Sequence, residues 1–299
     1  MTAYTLSVLT NICLISFLAL SAYLILLAGQ VSFGQQAFFG LGAYCVAIFL
    51  EIFRFNIFIS IFSSLVLVGF LGYVFAILTI RLNGLYFSIA SLAFAEIFRL
   101  GVTQIRFSVD INGKKIGPDG PEGFRNIRWI FDSNVSVEGF FVLSFILLLL
   151  CIFLLIFLEK SKFLKTIRLV GQDKILAISM GVSPAKYRIL AVSLGCIIGG
   201  LGGALFALNN TYIDPEMFGL MLGVHGLAYS IIGGLGSPIG PIVGVLIDVG
   251  ILDSVQFLSS FRMIIFGGLV ALILIFFPSG LISLKLINRI RNILKQKDV

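Results

Sequence analysis

Long, unbroken apolar runs dominate this chain and constrain what it can become. Nine stretches, at 6–28, 37–53, 57–80, 85–105, 140–158, 189–208, 217–234, 239–257 and 263–277, each approach or exceed membrane-spanning length. A helix needs roughly 20 apolar residues to cross the hydrocarbon of a bilayer. A transmembrane barrel would show short alternating strands instead, and none of these runs alternates. A span with its connector takes about 30 residues, so 299 residues accommodate about eight to ten spans. Composition closes the other routes: 59% of residues are apolar and only 12% charged. Soluble domains carry about 25% charged residues, so this chain lacks the polar surface to coat itself for water. The expected fold is all-α, a polytopic transmembrane helical bundle formed as a single domain over 1–299.

The distribution of charge orients that bundle. The net charge is +7, but the segment 159–188 alone carries +5 and the tail 285–299 carries +4, so the remainder is −2. By the positive-inside rule both basic segments face the cytoplasm. The loop 106–138 balances five basic against five acidic residues. One span separates it from the central basic loop, so it is expected to face outward. Four spans lie between the two basic segments, in agreement with both being cytoplasmic, and counting back puts the N-terminus outside. Residues 1–7 carry no charged side chain, as a cleaved signal would, so the first span is expected to be retained. Glycine-rich stretches at 30–42 and 233–244 read as candidate re-entrant or broken helices, which would change the count by one. The basic tail is expected to continue as a short amphipathic helix over 284–294 at the membrane surface. Nucleic-acid binding is excluded, because the basic residues flank apolar spans and form no aromatic-interleaved patch.

Residues able to do chemistry are few. Cys13, Cys45, Cys151 and Cys196 are widely spaced in apolar stretches, which supports neither a disulfide framework nor a metal site. His225 is the only histidine, and no GxxxxGK[ST] phosphate loop can be written. No catalytic group, metal or cofactor is therefore expected on this chain. Glycines at four-residue spacing, Gly195/Gly199/Gly203, Gly219/Gly223 and Gly236/Gly240/Gly244, read first as close helix packing. Glu96 and Arg99 lie three residues apart on one span and can pair there, which lowers the cost of charge at membrane depth. Asp248, in mid-span, is expected to face the bundle interior or a water-filled cavity. A proton- or sodium-coupled carrier would be expected to show more such carboxylates.

The central basic loop is more specific. Residues 172–182, Gln-Asp-Lys-Ile-Leu-Ala-Ile-Ser-Met-Gly-Val, predict a short helix that ends at Gly181. Pro184 then opens a second helix leading into the next span. A short helix joined rigidly to a span can pass force from a soluble partner to the bundle.

This loop, the run Lys186-Tyr187-Arg188-Ile189-Leu190-Ala191 and the block Gly199-Gly200-Leu201-Gly202-Gly203-Ala204-Leu205 resemble the LivM-type permease subunit of branched-chain amino acid ABC importers. Similar blocks occur in order at 29–44 (GQVSFGQQAFFGLGAY), 81–96 (RLNGLYFSIASLAFAE), 117–123 (GPDGPEG), 233–241 (GGLGSPIGP) and 277–281 (FPSGL). The resemblance implies short cytoplasmic coupling helices and a multi-pass protein of the bacterial cytoplasmic (inner) membrane. It implies three kinds of partner: a sister permease forming a heterodimer, two cytoplasmic ATPase subunits that use the ATP, and an external solute-binding protein docking near 106–138. By position, the ATPase-coupling residues fall on Gln172, Asp173, Lys174, Ala177, Met180 and Gly181. Gln172, Lys174, Leu176 and Ile178 depart from the usual acidic or alanine pattern of that segment. Candidate pathway residues are Gln35, Phe39, Tyr86, Ser88, Ser91, Glu96 and Asp248. Within the superfamily, urea, amides, sugars or nucleosides are alternative substrates, and a stand-alone secondary transporter or channel is the alternative of a different class.

Overall fold

The computed structural model describes residues 3–107, 109–111, 114–133, 135–252, 261–277 and 280–282. The basic tail at 285–299, and with it the expected amphipathic helix over 284–294, lies outside the described residues. Among these residues seven helices are long and apolar enough to cross a membrane, and two shorter apolar helices complete the set. The long ones include α1 (Ala3–Leu27), α2 (Gln35–Ala47, continued by a π-helical turn to Ile52), α3 (Ile57–Thr79) and α4 (Leu85–Gln104). After a short connecting helix, α5 (Trp129–Asp132), come α6 (Val137–Lys160), α7 (Lys162–Gln172), α8 (Lys174–Ser179) and α9 (Pro184–Asn209). The described helices end with α10 (Leu220–Gly233), α11 (Ile239–Val245, continued as a π-helix to Leu252) and α12 (Arg262–Phe276). The nine apolar runs thus each form a helix, with ends shifted by a few residues.

The element that organises the bundle is α2. Eleven of its thirteen residues are buried, and its main neighbour is α9. Both helices are rich in glycine, which removes side-chain bulk and lets the backbones approach. A Cβ on Gly203 would overlap the Phe39 carbonyl, and one on Gly42 would overlap that of Gly200. The other small-residue rows also close contacts: Gly195 and Gly199 lie on Ser21 of α1, Gly223 on Gln36, and Gly244 on Tyr229. The glycine-rich stretch 233–244 contains the tight turn 234–238 between α10 and the start of α11, and Gly233 and Gly240 meet backbone to backbone across it. The stretch 30–42 contains a non-helical entry followed by α2.

A small sheet at one end of the bundle was not legible in the pattern. Strands β1 (Val109–Ile111), β2 (Lys114–Pro118), β3 (Phe124–Arg125) and β4 (Tyr212–Ile213) form one antiparallel sheet in that order. Phe124 pairs with Ile213, and Arg125 with Tyr212. The pairing brings the loop after α4 to the C-terminal end of α9. Those two regions therefore lie on one side of the bundle, opposite α7 and α8, as the charge distribution requires.

Candidate translocation pathway and coupling surface

The segment between α6 and α9 folds as two helices at an angle, not as one. The sequence predicts a single short helix over 172–182, but the chain breaks at Asp173 (φ −146°, ψ 105°). Gln172 is the last residue of α7 and so belongs to a different helix from Lys174 and Ala177, while Met180 caps the end of α8. The break exists because Asp173 is an N-cap: its carboxylate accepts from the amides of Ile175 (2.8 Å) and Leu176 (2.9 Å). At the other end Gly181 takes φ +76°, and the Val182 amide donates to the Ala177 carbonyl at 3.0 Å, closing the helix as expected. Only Ala177 of α8 is buried. Ile175, Ile178 and Met180 are 80%, 55% and 65% exposed. Three apolar side chains on a capped helix within a basic loop make a surface suited to a protein partner.

The candidate pathway residues separate into three places. Gln35, Ser88 and Ser91 meet around the non-helical entry to α2. The Ser88 hydroxyl donates to the Val31 carbonyl (2.7 Å), and the Phe33 amide donates to the Ser91 hydroxyl (2.9 Å). Gln35 donates to Ser32 (3.0 Å) and accepts from the Ser21 hydroxyl. These groups satisfy backbone that crosses the bundle interior without helical hydrogen bonds, which an apolar setting demands. All three residues are at most 5% exposed. Phe39 is also buried, against Phe206 and Phe218.

Tyr86 and Glu96, by contrast, lie on the open side of α4. Tyr86 is 73% exposed. The Glu96 side chain is 45% exposed and the Arg99 side chain 26%. The Arg99 Nε donates to Glu96 at 3.1 Å. Glu96 is twelfth of the twenty residues of α4, so the pair sits half-open midway along an apolar helix. Charge facing lipid at that depth is expensive.

The family described as branched-chain amino acid transport system, permease component, matches residues 4–277. This chain is a member of that family. It is 24% identical over 277 residues to the high-affinity branched-chain amino acid transport system permease protein LivM of Escherichia coli (strain K12), and 24% over 280 residues to LivM of Salmonella typhimurium (strain LT2). Each match covers 86% of this chain, which spans 65% of the length of those relatives. LivH of the same Salmonella strain is 24% identical over 166 residues, covering 53% of both chains. No solved structure matches. With its family and nine apolar helices among the described residues, this family member is a multi-pass protein of the inner membrane.

Asp248 occupies the third place in this permease, apart from the other two. It is fully buried, and Arg262 grips it through two hydrogen bonds of 2.9 Å, from Nε and Nη2. The Tyr229 hydroxyl donates to the same carboxylate at 2.6 Å. His225 stacks on Phe266 beside this cluster, with Nδ1 2.8 Å from the Met221 carbonyl. Of the two positions expected for Asp248, the bundle interior is the one it takes, joining α10, the π-turn after α11 and α12. Three polar contacts escaped the sequence pattern. Arg262 is one partner. Arg188 donates to Asn83 at 2.7 Å. Arg168 on α7 pairs with Glu159 at the end of α6, at 2.8 Å. These pairs lie 14, 105 and 9 residues apart and join different helices or loops, so the spacing of residues along a single helix could not have found them.

Beside the β3–β4 pairing an open cavity of about 590 Å³ is lined by Arg125, Asn126, Arg128, Phe131, Thr211 and Tyr212. Arg125 pairs with Glu122 at 2.7 Å and lies 6.0 Å from the Tyr212 ring centre. Burial and the neighbouring Asp214 carboxylate push the Tyr212 phenol above its ordinary pKa. The cavity spans both sides of the β3–β4 pairing, so its two walls come from loops far apart in the chain.

Proposed function

We propose that this chain is a permease subunit of an ATP-driven importer for branched-chain or other hydrophobic amino acids. One observation carries the reading: in a member of the permease family, the central basic loop presents α8 as a capped helix with an apolar open face. That face suits a cytoplasmic ATPase subunit, and two such subunits would power the complex. The chain itself contributes no catalytic group in this reading; ATP is bound and hydrolysed by the partners. The half-open Glu96–Arg99 pair on α4 needs water or protein against it, so a sister permease is assigned to that face and the pathway to the space between the two. The outer cavity, with Arg125 and Arg128 beside Phe131 and Tyr212, is assigned to an acidic face of the solute-binding protein, since complementary charge steers and registers such an encounter.

Purifying the tagged chain after co-expression with candidate ATPases, sister permease and binding protein from its own genome tests this directly. The ATPases should co-purify, and proteoliposomes should accumulate labelled leucine only when both ATP and the binding protein are supplied. Transport by the chain alone on a proton or sodium gradient would overturn the proposal in favour of a stand-alone carrier.

A further inference from the structure

The polar cluster at the base of α7 has no role in the surfaces assigned so far. Tyr23 of α1 is fully buried, and its hydroxyl donates to Glu159 Oε1 at 2.9 Å. Arg168 Nη2 donates to the same oxygen at 2.8 Å and lies 3.4 Å from the Tyr23 hydroxyl. The Glu159 and Arg168 side chains are only 22% and 19% exposed. Three helices, α1, α6 and α7, thus meet at one carboxylate oxygen. One turn further along α7, Gly171 lies directly on the backbone at Leu27–Gly29, where a Cβ would overlap the Leu27 carbonyl.

This geometry bears on how α8 moves its surroundings. α8 buries a single residue of its own, so a force applied to it passes into its covalent neighbours, α7 and α9. α7 is joined to α6 through Ser161 alone, an extended residue at ψ 160° between two helices. Its apolar face, Leu164, Ile167 and Val170, holds it to the bundle, but apolar contact is non-directional and lets a helix roll. Charge-assisted hydrogen bonds fix an angle. Beyond the cluster, α1 carries Ser21, whose hydroxyl donates to Gln35 at the start of the central helix α2.

We propose that Tyr23, Glu159 and Arg168 form a latch that makes α7 a rigid lever, delivering the motion of α8 to α1 and through Ser21 and Gln35 to α2. They are positioning residues, and this rests on α8 receiving the ATPases. The latch acts on the conversion of ATP hydrolysis into transport and not on the attachment of the ATPases.

The test uses the complete complex in proteoliposomes with an equimolar mixture of labelled leucine, isoleucine and valine. It measures ATPase co-purification, ATP hydrolysis and amino acid moved per ATP for wild type, Tyr23→Phe, Arg168→Gln and Arg168→Lys. Tyr23→Phe keeps the ring and its packing, so it reads the hydroxyl alone. The latch predicts wild-type co-purification with about fivefold less transport per ATP in Tyr23→Phe and Arg168→Gln, and partial recovery in Arg168→Lys. If both variants stay within about twofold of wild type, or lose uptake only in step with lost ATPase subunits, the latch is wrong while the importer reading stands. A wild-type complex that assembles no ATPase, or moves none of the three amino acids, overturns the reading and the latch together.

Discussion

Gly203 illustrates how little room the bundle leaves at single positions. Its α-carbon faces the Phe39 backbone, and backbone cannot swing aside as a side-chain tip can. Gly203→Val should therefore destabilise the permease by about 1–3 kcal/mol through overpacking. A lower unfolding temperature in detergent would report it. Gly101 of α4 has nothing within 4 Å of a would-be Cβ, so Gly101→Val should leave that temperature unchanged. An equal drop for both would mean that bulk on any span is harmful, and not that the α2–α9 contact is tight. The same scale explains why Gln35, Ser88 and Ser91 are polar inside an apolar bundle: each bonds a group of the non-helical entry to α2. Their residue types suggested a pathway; the contacts they make are to the non-helical entry of α2.

At the level of elements, α8 owes its separate existence to two end residues. Asp173→Ala removes the acceptor for two amides, a loss of about 1 kcal/mol for the helix. Because α8 buries so little, the unfolding temperature should hold while ATPase retention on the purified chain falls about fivefold. Gly181 sits in the left-handed region with open space around it. Gly181→Leu meets no clash but costs roughly 1–2 kcal/mol in backbone strain, which shifts the turn into α9. Hydrolysis should continue with less uptake; full coupled uptake would show that the turn is not part of the transmission. The apolar helices were readable because lipid imposes a minimum length on every span, and the Gly181 stop because left-handed backbone selects glycine. The break at Asp173 was not, since aspartate in a basic run serves equally as a first-turn residue and as a cap. Strands of two to five residues, β1–β4, carry no alternation long enough to register.

For the molecule as a whole, charge distribution suggests sidedness, and the β3–β4 pairing places the loop after α4 and the end of α9 at one end of the bundle. The cavity combines arginines with aromatic rings at that end. Arg128→Glu should raise the concentration of binding protein needed for half-maximal ATPase stimulation about tenfold in low salt. The difference should shrink near 1 M salt, where the screening length falls to about 3 Å. A salt-independent effect would mark lost shape and not lost charge. The core is legible in outline from its glycines, whereas the ion pairs between separate helices, Glu159–Arg168 and Asp248–Arg262, exist only once the chain has folded. The central position of α2 also has a consequence for biosynthesis. Its main packing partner, α9, begins about 150 residues after α2 does. At about 5–20 residues per second, the ribosome delivers that partner about 10–30 s after α2 emerges. During that interval Phe39 and Gly42 lack the α9 glycines they pack against, so that face of α2 must be sheltered by something other than its final partner until the chain is nearly two-thirds made.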